Sequence, residues 1–174
     1  APNAPGKTRH QFASDLVGQI KGMNEGHYVE ELLDAAPTAF CIGVGAYAEK
    51  HFESPNMSTD IKYLKAKVDA GADYIVTQMF YNNDAFFTFR DDCHAAGIDV
   101  PIIPGLKILS KEAHLRVIPK NFYVDIPETL SNQVVGQSKE DIQRSGINWA
   151  LNQVQELVEA KVPCIHFYIM SSAK

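Results

Sequence analysis

Tyr47, His51, Asp60, Tyr63 and Lys67 form the first group in this 174-residue sequence whose side chains could do chemistry together. Tyr47 ends an apolar run, and His51 lies in the polar stretch behind it. Asp60, Tyr63 and Lys67 fall at i, i+3 and i+7, so a helix turns all three the same way. A phenol, an imidazole and an ammonium suit a ligand carrying phosphate, and Tyr47 can lie along a flat ring. A solvated helix face below an ordinary loop has the same spacing. The second group is Thr77-Gln78, at the end of another apolar run. Gln78 offers a donor and an acceptor on one plane, which matches a heteroaromatic edge carrying C=O and N–H groups. A structural amide bonded to neighbouring backbone fits the position equally well. The third is His166-Phe167-Tyr168, where strand alternation puts His166 and Tyr168 on one face. A satisfied core histidine is the plainer reading there. His10, His27, His94 and His114 lack metal-ligand spacing, and no HExxH, GxSxG or Walker A pattern occurs. Met57, Met79 and Met170 read as core or rim filler.

The elements that must position these groups follow from periodicity. Phe12, Leu16, Val17 and Ile20 give a helix over 11–21, and a short second helix is expected over 28–35. The run 40–47 is apolar on both faces, as a buried parallel strand should be. Ser58 or Thr59 caps the next helix, with Ile61, Leu64 and Val68 inward. Strands follow at 74–80 and 101–106, separated by a helix from Asn82-Asn83-Asp84 with Phe86, Phe89 and Cys93 inward. Ser110 opens a short helix to Ile118, and a turn-rich passage spans 119–135. A long helix covers 139–160 with Ile142, Ile147, Ala150, Leu151, Val154 and Leu157 inward. The last strand is 164–170. Strand–helix alternation means parallel strands. No GxGxxG turn follows a strand, and the chemical side chains sit at strand C-terminal ends. Both facts favour a barrel over an open doubly wound sheet. A complete barrel takes about 250 residues and eight strands. The expected fold is therefore α/β, the C-terminal portion of a (β/α)8 TIM barrel with about four parallel strands. Residues 1–174 are read as one partial domain whose N-terminal strands are missing.

Composition narrows the function. Hydrophobic residues make up 45% and charged residues 21%, the balance of a globular protein. A net charge of -5 without a Lys/Arg cluster speaks against nucleic acid and anionic membrane surfaces. No apolar run approaches the roughly 20 residues a membrane span needs, and the opening residues lack the apolar core of a signal peptide. Cys41, Cys93 and Cys164 are odd in number and far apart, which fits a reduced compartment. A cytoplasmic protein is expected.

Specific strings go further. They are Ala13-Ser14-Asp15-Leu16-Val17, Ala46-Tyr47-Ala48-Glu49-Lys50-His51, the stretch from Leu64 through Ala70-Gly71-Ala72-Asp73 to Thr77-Gln78-Met79-Phe80, Cys93-His94-Ala95-Ala96-Gly97-Ile98, Ile103-Pro104-Gly105 and His166-Phe167-Tyr168. In this order, over nearly the whole chain, they closely resemble methylenetetrahydrofolate reductases. The resemblance implies a flavin-dependent barrel that passes hydride from NADH or NADPH to FAD. The flavin then reduces 5,10-methylenetetrahydrofolate to 5-methyltetrahydrofolate in a ping-pong scheme, in an enzyme that is a homo-oligomer when complete. Carried over by position, Ala13, Tyr47, His51, Ser54, Asp60, Tyr63 and Lys67 match FAD-contacting places. Gln78 matches the residue that meets both nicotinamide and pterin, and His114 falls near a folate contact.

The sequence also departs from the pattern. Ala48 and Phe52 replace two prolines of the loop after Tyr47, which predicts a looser loop. Ala66 replaces an arginine toward the FAD, and Ser171-Ser172 stands where many members have Asn-Arg near the folate tail. The family's general acid, a glutamate, and an aspartate beside the flavin match nothing in 1–174. No catalytic residue is expected within this segment, and the segment alone is expected to be inactive. Without the resemblance, a non-catalytic folate- or nucleotide-binding module and a flavin-free barrel enzyme remain open.

Overall fold

A computed structural model describes residues 10–169. Its sheet has four parallel strands, β1 (Gly43–Ala46), β2 (Tyr74–Met79), β3 (Ile102–Leu106) and β4 (His166–Phe167), hydrogen-bonded in chain order. The helices are α1 (Ala13–Asn24), α2 (Met57–Asp69), α3 (Asn83–Ala95), α4 (His114–Phe122), α5 (Glu128–Asn132) and α6 (Lys139–Glu159). Neighbouring strands joined through helices, all parallel, are the architecture of a (β/α) barrel segment.

Register explains the core. Val44 pairs with Ile75, and Ile75 with Ile102, so three apolar side chains form one row. That row belongs to a cluster with Ile61 and Leu64 of α2 and Phe86, Phe89 and Cys93 of α3. Burial pushes the Cys93 thiol up to about 12, with Asp92 and Asp60 adding to it, so it is inert packing. A second cluster holds Met79, the last residue of β2, and Tyr81 just beyond it against Leu109, Ile118, Leu130 and Ile142. The three long helices that precede strands end alike. Ala72, Ile98 and Val162 donate their N–H groups back to the carbonyls of Lys67, Cys93 and Leu157. This closure needs a left-handed residue just before the donor. Gly71 (φ 116) and Gly97 (φ 75) supply it, and Lys161 does so without the freedom of glycine (φ 56).

Several expectations need correction. No helix forms over 28–35. The stretch is short for independent nucleation, its Leu33 side chain is fully exposed, and Tyr28 donates its hydroxyl to the Ala36 carbonyl instead. The cap of α2 is Asn56, whose side chain accepts the Thr59 N–H; Ser58 and Thr59 lie inside the helix. The helix after β3 starts at His114 and continues through Pro119 to Phe122, where left-handed Tyr123 (φ 55) ends it. Proline there removes only one N–H. The turn-rich passage contains α5, which buries Leu130. In α6, Ile142, Ala150 and Leu157 face inward as expected, but Ile147 and Leu151 are exposed. The strands at 40–47 and 164–170 are shorter than expected, and Met170 lies outside the described residues.

Candidate functional site

The first of the strand-end groups is assembled by the loop between β1 and α2. Asp60, in the first turn of α2, reaches back to that loop. Its carboxylate accepts the backbone N–H of His51 at 2.8 Å and the hydroxyl of Ser54 at 3.0 Å. Ser54 is buried. Lys50 sits at φ 93, a costly conformation for a residue with a Cβ. Its ammonium closes the loop from within, donating to the carbonyls of His51 at 3.0 Å and Ser54 at 2.5 Å. Glu49 accepts the Asp125 N–H at 2.8 Å and so ties the loop to the segment after α4. Burial raises the Glu49 carboxyl above its ordinary range, against that bond. The two replaced prolines are compensated by contact. Ala48 is buried, and Phe52 stacks on Tyr123 with centroids 4.2 Å apart. The expected looser loop is instead a braced one.

The loop, β1, α1 and α2 enclose a cleft of about 460 Å³ that extends to β2 and Tyr168. Ala13, Tyr47, His51, Asp60, Lys67 and Gln78 all line it. Tyr47 and His51 meet edge to face at 5.0 Å. Lys67, one helical face along from Asp60, donates to the Gly45 carbonyl at 2.6 Å. Burial lowers its ammonium pKa, and the Asp60 charge opposes that shift. A partly desolvated cation with protons to spare suits an anionic ligand group.

Gln78 owes its place to an irregularity in β2. Val76 pairs with Ile103 but Met79 with Gly105, so β2 holds one extra residue between them. Such a bulge re-aims side chains. Thr77 is fully buried, and its hydroxyl accepts the Gly105 N–H at 2.9 Å. The Thr77 carbonyl accepts the Tyr168 hydroxyl at 2.9 Å. Gln78 Oε1 accepts the Met79 N–H at 3.0 Å, which orients the amide. Its nitrogen keeps both protons to donate, with one carbonyl lone pair left over. The structural reading of Gln78 accounts for its carbonyl oxygen, and the residue also lines the cleft.

Not every sequence-derived residue lines this cleft. Ser54 acts through Asp60. Tyr63 is 59% exposed and lies outside the lining; at 100° per residue it sits roughly 60° round α2 from Asp60. His114 begins α4 and accepts the Ser110 N–H at 3.3 Å, away from the cleft residues. Sequence reasoning missed the roles of Lys50, Glu49 and Tyr123, which have no motif. It had placed Tyr168 with His166, and the rings do meet at 4.5 Å, but nothing marked Tyr168 as a cleft wall. Among the described residues no helix is long and apolar enough to cross a membrane.

The sequence model of the methylenetetrahydrofolate reductase family matches residues 3–174. The chain is 34% identical to methylenetetrahydrofolate reductase 1 of Schizosaccharomyces pombe over 171 residues, 97% of this chain and 26% of that protein. It is 35% identical to the 5,10-methylenetetrahydrofolate reductase of Salmonella typhimurium over 175 residues, 99% of this chain and 54% of that one. The chain thus spans between a quarter and about half the length of these relatives. An uncharacterized protein from Clostridium thermocellum, described as binding two copies of 5-methyl-5,6,7,8-tetrahydrofolic acid, shares the fold. The TM-score is 0.59 and the identity 22%, over 75% of this chain and 48% of that one. By the family match and by identity along its whole length, the chain belongs to the methylenetetrahydrofolate reductase family.

Proposed function

We propose that this segment belongs to a cytoplasmic, flavin-dependent enzyme that uses NADH or NADPH to reduce 5,10-methylenetetrahydrofolate to 5-methyltetrahydrofolate. The observation that supports the reading is one cleft joining Lys67, His51 and Tyr47 to Gln78 at adjacent strand ends. FAD, when bound, supplies the hydride-carrying chemistry. The residues fit it. Lys67 and His51 are donors for phosphate or ribityl oxygens, and Tyr47 offers a flat flank. Gly45 leaves the strand open, since a Cβ built there meets no atom within 4 Å. Ser54 and Asp60 hold His51 in place. Gln78 donates to the nicotinamide carbonyl and to the pterin edge in turn, which suits a ping-pong order. In this reading residues 1–174 are the C-terminal part of a (β/α)8 barrel, and the complete enzyme is a homo-oligomer.

Folate ring opening needs a proton. Asp60 is the one carboxylic acid lining the cleft among the described residues, and both its oxygens already accept hydrogen bonds. In this reading the proton donor is the family's glutamate, outside residues 10–169. Residues 1–174 purified alone are expected to show no folate-dependent turnover, because a positioned acid contributes roughly 10²–10⁴-fold. Measurable turnover by that segment would place the acid within it. The intact protein tests the function itself. Flavin absorbance with menadione- and folate-dependent NADH or NADPH oxidation supports the reading, and a colourless protein that binds folate points to a non-catalytic module.

The cofactor assignment has its own test. In the intact protein, Lys67→Met and His51→Ala are expected to loosen FAD more than they slow hydride transfer. Each removes a donor to the cofactor, worth on the order of 1.5–3 kcal/mol if charge-assisted. Flavin release on dilution measures it; variants that hold FAD normally but turn over slowly contradict it.

A further inference from the structure

Four rings stand in a row from the cleft outward. Tyr47 meets His51 at 5.0 Å, His51 meets Phe52 at 4.9 Å, and Phe52 stacks on Tyr123 at 4.2 Å, centroid to centroid. Tyr47 and His51 line the cleft, whereas Phe52 and Tyr123 lie outside its lining. Both outer rings are half-exposed, yet their planes are only 13° apart. Each side of that stack has a fixed base. Val124, next to Tyr123, is buried in the second core cluster. Tyr123 itself is the left-handed residue that ends α4 (φ 55), a conformation that suits glycine better than an aromatic residue. On the loop side, Glu49 holds the Asp125 N–H, two residues beyond Tyr123. The backbone of His51 is pinned at both its polar groups. Its N–H goes to Asp60, and its carbonyl accepts the Ser54 N–H and the Lys50 ammonium, each at 3.0 Å. The imidazole has weaker ties. Its Nδ1 accepts a long bond of 3.3 Å from the Glu53 N–H, with the Glu53 carboxylate 3.9 Å away. Its orientation therefore rests on the rings to either side.

We infer that Tyr123 is a positioning residue for His51. It holds Phe52 by stacking, and Phe52 and Tyr47 hold the imidazole between them. With the stack lost, the imidazole is free to turn while its backbone stays pinned. The inference rests on the reductase reading, in which His51 is a donor to FAD. The end of α4 then sets how firmly the cofactor is kept without touching it.

Tyr123→Gly in the intact, FAD-loaded protein separates the ring from the backbone, because glycine takes φ 55 without strain and keeps the helix end. FAD release on dilution is expected to quicken roughly 2- to 10-fold, the range for losing one aromatic pair. The melting temperature should change little. Tyr123→Phe keeps the ring and should release FAD as the unaltered protein does. Phe52→Ala should lose at least as much as Tyr123→Gly, and adding Tyr123→Gly to it should change nothing further, since the stack is already gone. Unaltered release from Tyr123→Gly, an equal loss in Tyr123→Phe, or losses that add in the double variant each overturn the proposal. Should Tyr123→Gly fail to fold, Tyr123→Leu, which has bulk but no ring face, decides by the same comparison with Tyr123→Phe. An intact protein that holds no flavin overturns the reductase reading instead, and proton NMR of the His51 ring then decides the positioning. Its signals, displaced by the neighbouring rings, should move toward ordinary imidazole shifts in Tyr123→Gly but not in Tyr123→Phe; signals that stay put overturn it.

Discussion

Gln78→Leu in the intact enzyme is expected to slow both half-reactions while FAD stays bound. The amide sits at a bulge and lines the cleft; its carbonyl oxygen is spent on the Met79 N–H and its nitrogen keeps its protons to donate. Leucine keeps roughly the volume but leaves the Met79 N–H and the ligand's polar edge unpaired. An unsatisfied buried group costs about 1–3 kcal/mol, a loss of roughly 5- to 150-fold in each half-reaction. Stopped-flow flavin reduction by NADH and reoxidation by folate measure the two separately. The competing view, that Gln78 only closes the bulge, predicts a lower melting temperature with normal rates in both. That pattern would assign Gln78 to the scaffold. Glutamate is a sharper second variant: it keeps an acceptor for Met79 but loses the donor, so it should fold and still be slow.

Gly105→Ala is expected to be among the most damaging single-methyl changes in the sheet. A Cβ at this position would lie 2.3 Å from the Thr77 carbonyl oxygen, 2.7 Å from the Tyr168 ring and 3.3 Å from the Gln78 carbonyl carbon. The first of these atoms is backbone and already accepts the Tyr168 hydroxyl. The Gly105 N–H meanwhile donates to the Thr77 hydroxyl, so β3 has little room to withdraw. Overpacking of this kind costs roughly 1–3 kcal/mol, a fall of about 2–12 °C in melting temperature for a chain of this size. Because the displaced atoms hold Gln78 and Tyr168, both half-reactions should fall as well. Gly45→Ala is the control, since its Cβ would meet nothing within 4 Å and stability should not change. Equal melting temperatures for the two variants would show that β3 yields easily and that the bulge is not clamped.

What was legible in the sequence is what local repetition encodes. Apolar runs and helical stripes locate β2, β3, α2, α3 and α6 because burying a face demands a fixed period. The left-handed closures at Gly71 and Gly97 were visible as small-residue joints, because glycine reaches that conformation without strain. Motif order identified the family, and i, i+7 spacing put Asp60 and Lys67 on one wall of the cleft. The same spacing argument took in Tyr63, which the helix turns aside, and the short helix expected over 28–35 does not form.

Tertiary structure alone decided how the site groups are used. Asp60 reads as a ligand contact in the sequence, yet its oxygens are committed to His51 and Ser54, which no spacing could reveal. Phe52 looked like the loss of a proline and became a stacking partner for Tyr123, more than 70 positions away. The orientation of Gln78 depends on a register slip between β2 and β3, a property of two strands together and of neither alone. Lys107 looks like any lysine after a strand until β4 returns from the far end of the chain and buries it beside Tyr168. Local physics sets which residues can be helix, strand or turn. Hydrogen-bond commitment, desolvation and strand register depend on groups distant in sequence, so they exist only once the chain has folded.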